Sequence, residues 1–401
     1  MKAPSYQALI IALLLIVSST VAQGGGTETE QTQRDSEKLN LIEPHNLTQN
    51  DNDSVYPQIS SSKDNIYIVW QESVGSHATT NYDIFFKKSN DSGNSFDSPL
   101  NLSNNIGFSE HPQIASVGNY IYVVWVDSSS GEREIMFSKS LDSGKTFSNS
   151  TVVSQNSMSP YHTELAADGQ NVYIVWNSFG IEMSNIILLT KSNNAGKSFG
   201  ELIEIGEGDL ETYPKIAANA NEYYITWDRR DKKDTEILLI KGHIDYKNIQ
   251  NVIQDVKLNN EYIDGGESQV AADADHVIVS WTSNIPADKK YVYVSSSKNN
   301  GYTFGDNIPI SSTNSSNVEN FLVGDNSYIV WQDNIGGNHD IFYTKSNTNG
   351  TSFDRPINVS NNIGISECPS ITVSTSGIHI IWEDNTTGNH EVFYKRISNI
   401  V

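Results

Sequence analysis

The chain is written in short runs of β-branched and aromatic residues separated by polar turns. Ile66-Tyr67-Ile68-Val69-Trp70, Ile121-Tyr122-Val123-Val124-Trp125 and Val172-Tyr173-Ile174-Val175-Trp176 are three such runs, and side chains of this shape favour extended, pleated backbone. Each run ends at a tryptophan. All seven tryptophans, Trp70, Trp125, Trp176, Trp227, Trp281, Trp331 and Trp382, follow at spacings of 55, 51, 51, 54, 50 and 51 residues. Ten or eleven residues before each stands an apolar anchor, Ile59, Ile114, Leu165, Ile216, Val270, Phe321 and Ile371, which marks a preceding strand. Beyond a polar loop after the tryptophan come runs such as Asp83-Ile84-Phe85-Phe86, Glu134-Ile135-Met136-Phe137 and Asp340-Ile341-Phe342-Tyr343, which mark a third. A unit of this size cannot bury its apolar faces alone, so its copies must stack on one another in a radial array.

The third strand runs into a turn: Ser89-Asn90-Asp91-Ser92-Gly93-Asn94-Ser95-Phe96, then Ser140-Leu141-Asp142-Ser143-Gly144-Lys145-Thr146-Phe147, with weaker copies over 192–199, 297–304 and 346–353. Asp and Ser side chains bond local amides there, Gly accepts positive φ, and the last aromatic packs beneath the turn. Asn194, Asn299 and Thr348 replace Asp in the later copies, and the repeats of Trp227 and Trp382 lack the turn. These octapeptides resemble the Asp-box of the bacterial neuraminidase repeat family, a sialidase-like superfamily of propellers, over about residues 44–398. The resemblance implies that the turn is structural and remote from any active site.

Pro44-His45-Asn46-Leu47-Thr48 stands 13 residues before Pro57, as Pro99-Leu100-Asn101-Leu102-Ser103 does before Pro112 and Pro356-Ile357-Asn358-Val359-Ser360 before Pro369. The first segment is thus an outer strand without a blade of its own, and the last repeat has three strands. The expected fold is all-β: a seven-bladed β-propeller of four-stranded antiparallel blades over residues 40–401, closed by an N-terminal strand that completes the last blade and removes an exposed edge.

Residues 1–22 have the layout of a signal peptide, with Lys2, an apolar core from Ala8 to Val17 and small residues up to Ala22. Residues 23–39 are Gly, Thr, Gln and Glu with hardly an apolar side chain, which predicts a flexible linker. The expectation is a secreted or cell-surface protein with no membrane span after signal removal. Asp and Glu number 48 against 26 Lys and Arg, a net charge of −22, which excludes nucleic acid as a natural partner. Cys368 is the single cysteine, so no internal disulfide holds the fold. Nine glycosylation sequons start at Asn46, Asn52, Asn90, Asn101, Asn149, Asn314, Asn349, Asn358 and Asn385; they fit a glycoprotein, or an Asn- and Ser-rich composition that makes sequons by chance.

In a propeller the loops between second and third strands, and those leading into each first strand, share one face at the channel mouth, with the octapeptide turns on the other. Two sets of side chains occupy that candidate face. Glu72, Asp127, Asp228, Asp333, Glu383 and Asp384 follow the tryptophans, and Asp83, Glu134, Glu236, Asp340 and Glu391 open the third strands. Their regular recurrence argues for repeated bonds to loop amides; the competing reading, with Asp127, Asp228, Asp333 and Glu383 as its members, is ligand or cation binding. The second set, three residues before the anchors, is irregular: Tyr56, His111, His162, Tyr213, Glu267, Val318 and Cys368. In a ring these positions converge on the mouth, where His111, His162 and Cys368 are candidates for a divalent metal and the whole set for a small ligand. Ordinary polar lining is the plain alternative.

The family resemblance invites an enzyme. Sialidases clamp the substrate carboxylate with three arginines, whereas this chain has six arginines in all, of which Arg133, Arg229 and Arg230 are placed near the candidate face. Sialidase activity is therefore not expected. The expected role is a binding or scaffold module for glycan, peptide or an extracellular or envelope protein, with a glycoside hydrolase using two face carboxylates as the rival.

Overall fold

The structure is a computed structural model. It describes residues 43–398 except 76–80, 156–158, 180–184, 209–211, 232–233, 246–252, 259–264, 284–288, 312–313 and 336. The signal-peptide and linker segments expected above lie outside these residues. Among the described residues there are seven four-stranded sheets, each with antiparallel pairing, and no helix long and apolar enough to cross a membrane. The chain is a seven-bladed β-propeller.

The tryptophan runs form the second strand of each blade. In the first blade, Ile66 to Trp70 are all 0–1% exposed, because neighbouring blades cover both faces of the sheet. That is why these strands read as unbroken apolar runs and do not alternate. The core is a chain of such interfaces. Tyr67, Val69 and Phe86 of blade one interleave with Ile121, Val123 and Trp125 of blade two, and Ile381, Val392 and Tyr394 of blade seven with Ile59, Ile68 and Trp70 of blade one.

The outer strand of blade seven comes from the other end of the chain. His45–Asn46 lies antiparallel on Glu391–Ser398, pairing His45 with Tyr394 and Asn46 with Phe393. The Leu47 N–H continues the ladder to the Val392 carbonyl at 2.8 Å.

The octapeptide turns hold themselves together. Ser89 Oγ accepts the Gly93 N–H at 2.8 Å and donates to Asp91 at 2.7 Å, while Asp91 accepts both the N–H and the hydroxyl of Ser95. Asn194, Asn299 and Thr348 take over the aspartate's part. The closing aromatic does not stop beneath its own turn: Phe147 packs edge-on against Phe86 of the preceding blade at 4.8 Å, and Phe199 against Phe137 at 5.0 Å. Gly144 has φ +75, and a Cβ there would stand 2.8 Å from the Phe86 ring, so the turn demands glycine both for conformation and for close approach.

In blade six the expected anchor is displaced by one residue. Asn320, and not Phe321, pairs with Ile329 where Ile59 pairs with Ile68. Phe321 is only half-buried, and Asn320 instead donates to the Ser280 hydroxyl of blade five at 2.9 Å. The expectation followed the aromatic because an asparagine at an inner-strand anchor gives no hydrophobic signal.

Candidate functional site

A β-bulge near the start of the innermost strand builds the site. The register slips between Val55 and Gln58, Glu110 and Gln113, Tyr161 and Glu164, Gly266 and Gln269, Ser316 and Glu319, and Glu367 and Ser370. In each slip one residue adopts left-handed backbone: Tyr56 (φ 51), His111 (53), His162 (50), Glu267 (53), Asn317 (48) and Cys368 (48). A bulge re-aims side chains at the cost of an unpaired residue, and here the seven blades, with Tyr213 in blade four, aim theirs at the axis. They line a cup of about 450 Å³. Val318 lies at the cup wall but is not the bulged residue of blade six, since the one-residue shift puts Asn317 there and packs Val318 into the core.

The ring has two halves. Across blades one to four run Tyr56, His111, His162 and Tyr213, with ring centroids 4.7, 5.5 and 4.1 Å apart in succession. Glu267, Asn317 and Cys368 face this aromatic arc from blades five to seven. Burial, helped by the positive charges of Arg133 and Lys215, pulls His111 down to about 4, and burial with His111 beside it pulls His162 down to about 3. Both imidazoles are neutral at neutral pH. Burial raises the Tyr56 phenol and pushes the Cys368 thiol well up, each reinforced by nearby acidic side chains, so Cys368 is a protonated, weakly nucleophilic thiol.

Two residues further along each inner strand a second ring forms the floor: Gln58, Gln113, Glu164, Lys215, Gln269 and Glu319. Lys215 Nζ contacts Glu164 and stands 4.0 Å from Glu319. Gln113 donates to Glu164 at 3.2 Å and Gln269 to Glu319 at 2.9 Å. Burial opposes the charge on Lys215, but Glu164 and Glu319 outweigh it and raise the ammonium above its ordinary value. Burial raises Glu164 and lifts Glu319 to about 7, Lys215 offsetting part of that rise. These floor residues escaped the sequence reading. Their signal was the polar middle residue of Pro57-Gln58-Ile59, Pro112-Gln113-Ile114 and Pro214-Lys215-Ile216, a polar side chain between two apolar ones.

The acids after the tryptophans do not line the cup. Those two residues on are structural: Asp127 accepts from its own Trp125 indole at 3.1 Å, from Ser109 at 2.8 Å and from Ser129, and Asp333 accepts from Trp331 at 3.0 Å and Ser315 at 3.0 Å. Glu72 and Asp384 serve Trp70 and Trp382 alike. Glu383, one residue on, accepts the Tyr56 N–H of the next blade at 3.0 Å, and Gln71 accepts that of His111 at 3.2 Å. Asp228 holds the corresponding place in blade four, where its carbonyl accepts from Thr212 at 3.1 Å. His111 and His162 meet edge to face, and no three His, Cys, Asp or Glu among the described residues gather closely enough for a metal ion. Cys368 is within reach of Asn317 at 3.9 Å. Arg133 pairs with Glu110 and Arg229 with Glu236, each at 2.9 Å; the side chain of Arg230 is outside the described part.

Three of the nine sequons, those of Asn101, Asn358 and Asn46, take part in strand ties. Asn101 donates its amide to Asp83 at 2.7 Å while Ser103 donates to the same carboxylate and accepts the Ile84 N–H at 3.0 Å. Asn358, Ser360, Asp340 and Ile341 repeat the pattern, and Thr48 accepts the Val392 N–H at 3.1 Å in blade seven. At Asn101 and Asn358, Asn-x-Ser ties an outer strand to the acid opening the third.

No protein-family model and no curated protein matches the sequence. Solved structures do. A polysaccharide lyase of family PL25, an ulvan lyase bound to -[GlcA(1-4)Rha3S]-, matches with a TM-score of 0.57 at 10% identity over 87% of this chain and 94% of that one. The Fusarium graminearum GH93 α-L-arabinofuranosidase in complex with arabinobiose matches at 0.51 and 14%, over 72% and 93%. Trypanosoma rangeli sialidase matches at 0.54 and 9%, over 90% of this chain, which spans only 59% of that enzyme. At such identities the likeness concerns architecture: the chain has the fold of the sialidase-like β-propellers.

Proposed function

We propose that this protein binds glycan in the axial cup, as an exported, cell-surface module of the Asp-box kind. The observation that carries this reading is the arc Tyr56–His111–His162–Tyr213 standing over a floor of amides and carboxyls. Aromatic faces take the apolar faces of sugar rings, and fixed amides and carboxylates take their hydroxyls. Tyr56 and Tyr213 are 42% and 38% exposed, a large apolar surface held ready in a concave site. Glu267 and Cys368 complete the contact set. The structurally similar lyase, arabinofuranosidase and sialidase all act on glycans, which agrees with this reading. Titration calorimetry of oligosaccharides against wild type, Tyr56→Ala and Tyr213→Ala tests it. Each variant should lose at least about tenfold in affinity with unchanged thermal unfolding, roughly the worth of one stacked ring; full affinity in both variants would remove the cup from the function.

One observation favours hydrolysis as the second reading. Glu164 and Glu319 flank the same ammonium, and burial raises both carboxyls, Glu319 to about 7, the kind of shift that suits a carboxyl to general acid work. Release of reducing ends by wild type and its loss in Glu319→Gln would establish it; sialosides should not be turned over, since no arginine is among the described residues that line the cup.

A further inference from the structure

We infer that the cup prefers a glycan bearing free, protonated amino groups, a hexosamine oligomer, over neutral or anionic sugars. This rests on the glycan reading and adds the class of sugar. The argument is the charge around the cavity. Glu164, Glu267 and Glu319 line it, Glu319 only partly charged at neutral pH because burial lifts it to about 7, and Lys215 is the one cation among its described lining residues. That cation is taken: it contacts Glu164 and lies 4.0 Å from Glu319. The two imidazoles add no positive charge at neutral pH. Glu267 keeps the excess. Its Oε2 accepts the Asn317 N–H at 2.9 Å, and among the described residues its Oε1 is paired with the exposed Lys290 ammonium 3.8 Å away.

The acids beyond the lining add to the same field. Glu383 and Glu367 act on Cys368 and Glu383 on Tyr56, whereas Glu110 is paired with Arg133 and adds little. A concave site walled by protein focuses such a potential. It repels a uronate or sulfate and attracts an ammonium. The faces of Tyr56 and Tyr213 do the same through their ring quadrupoles, which favour a cation lying over them. Sugar face and ammonium are thus met by one arc and one acidic wall.

The test uses the whole chain and four probes: glucosamine hexamer, its fully N-acetylated counterpart, a galacturonate hexamer and hexalysine. Calorimetry should show the glucosamine hexamer binding about tenfold or more tighter than the acetylated one, with affinity falling as salt rises. The galacturonate hexamer should not bind. Glu267→Gln should cut glucosamine-hexamer affinity about tenfold, the order expected for one charged hydrogen bond, and weaken the acetylated hexamer clearly less. Equal or tighter binding of the acetylated or galacturonate hexamer would overturn the inference and leave the glycan reading standing. So would hexalysine matching the glucosamine hexamer, because charge alone would then suffice. If neither these sugars nor a panel of neutral oligosaccharides bound, both readings would fall.

Discussion

Left-handed backbone at a tyrosine, two histidines, a glutamate, an asparagine and a cysteine is a cost that sequence statistics do not reveal. Each such residue stores about 1–2 kcal/mol, tolerated here because the bulge aims a side chain into the cup. Cys368 allows a clean measurement, since its side chain is small and unreactive. Cys368→Val should lower stability in urea by about 1–2 kcal/mol because a β-branched residue resists φ 48, whereas Cys368→Gly should be tolerated. Equal losses in both would mean that packing, and not backbone, sets the preference. Buried His379 makes a second prediction. It sits between the Tyr394 hydroxyl at 2.7 Å and Ser374 at 2.8 Å, and burial with nearby Arg396 pulls it down to about 3. The unfolded chain takes a proton near 6.5 and the folded one refuses it. Stability is therefore full above that value and declines as pH falls from there towards 3. Unfolding free energies measured between pH 7.5 and 4 should decline less steeply for His379→Phe than for wild type, and parallel curves would acquit this residue.

The strands show what the sequence makes legible. Seven tryptophans announced seven blades because the second strand is covered on both faces, and such burial leaves a continuous apolar run at a fixed period. The floor of the cup was not announced. Its members vary in type from blade to blade, Gln58, Gln113, Glu164, Lys215, Gln269, Glu319, and only closure of the ring brings Glu164, Lys215 and Glu319 together across more than 150 residues. The carboxylates after the tryptophans were the opposite case: their regular recurrence argued for a repeated structural bond, and Asp127 and Asp333 each accept from an indole. Asn101 and Asn358 follow the same logic. Asn101→Gln should destabilise the protein by about 1–2 kcal/mol even when made in a host that attaches no glycan, since the longer amide cannot keep its bond to Asp83. An unchanged denaturation midpoint would return Asn101 to the glycosylation candidates.

At the scale of the molecule, no blade is stable by itself and every interface leans on two others. Deleting residues 43–50 removes the outer strand of blade seven, the buried Leu47 and the carbonyl that accepts from Lys87 at 2.7 Å. Loss of about 3 kcal/mol or more is expected from burial and hydrogen bonding together, and calorimetric melting of the truncated protein checks it; an unshifted melting temperature would show that the ring holds without this strand. The same pairing also sets a clock. Thr48 meets Val392 across 344 positions, and a ribosome adding about 5–20 residues per second takes on the order of 20–70 s to make the second partner after the first. During that interval the earliest strand has no mate and the first blade exposes the face that blade seven will cover. The propeller therefore spends its synthesis with an open edge on its first blade, and the strand over Glu391–Ser398 is the one that later hides it.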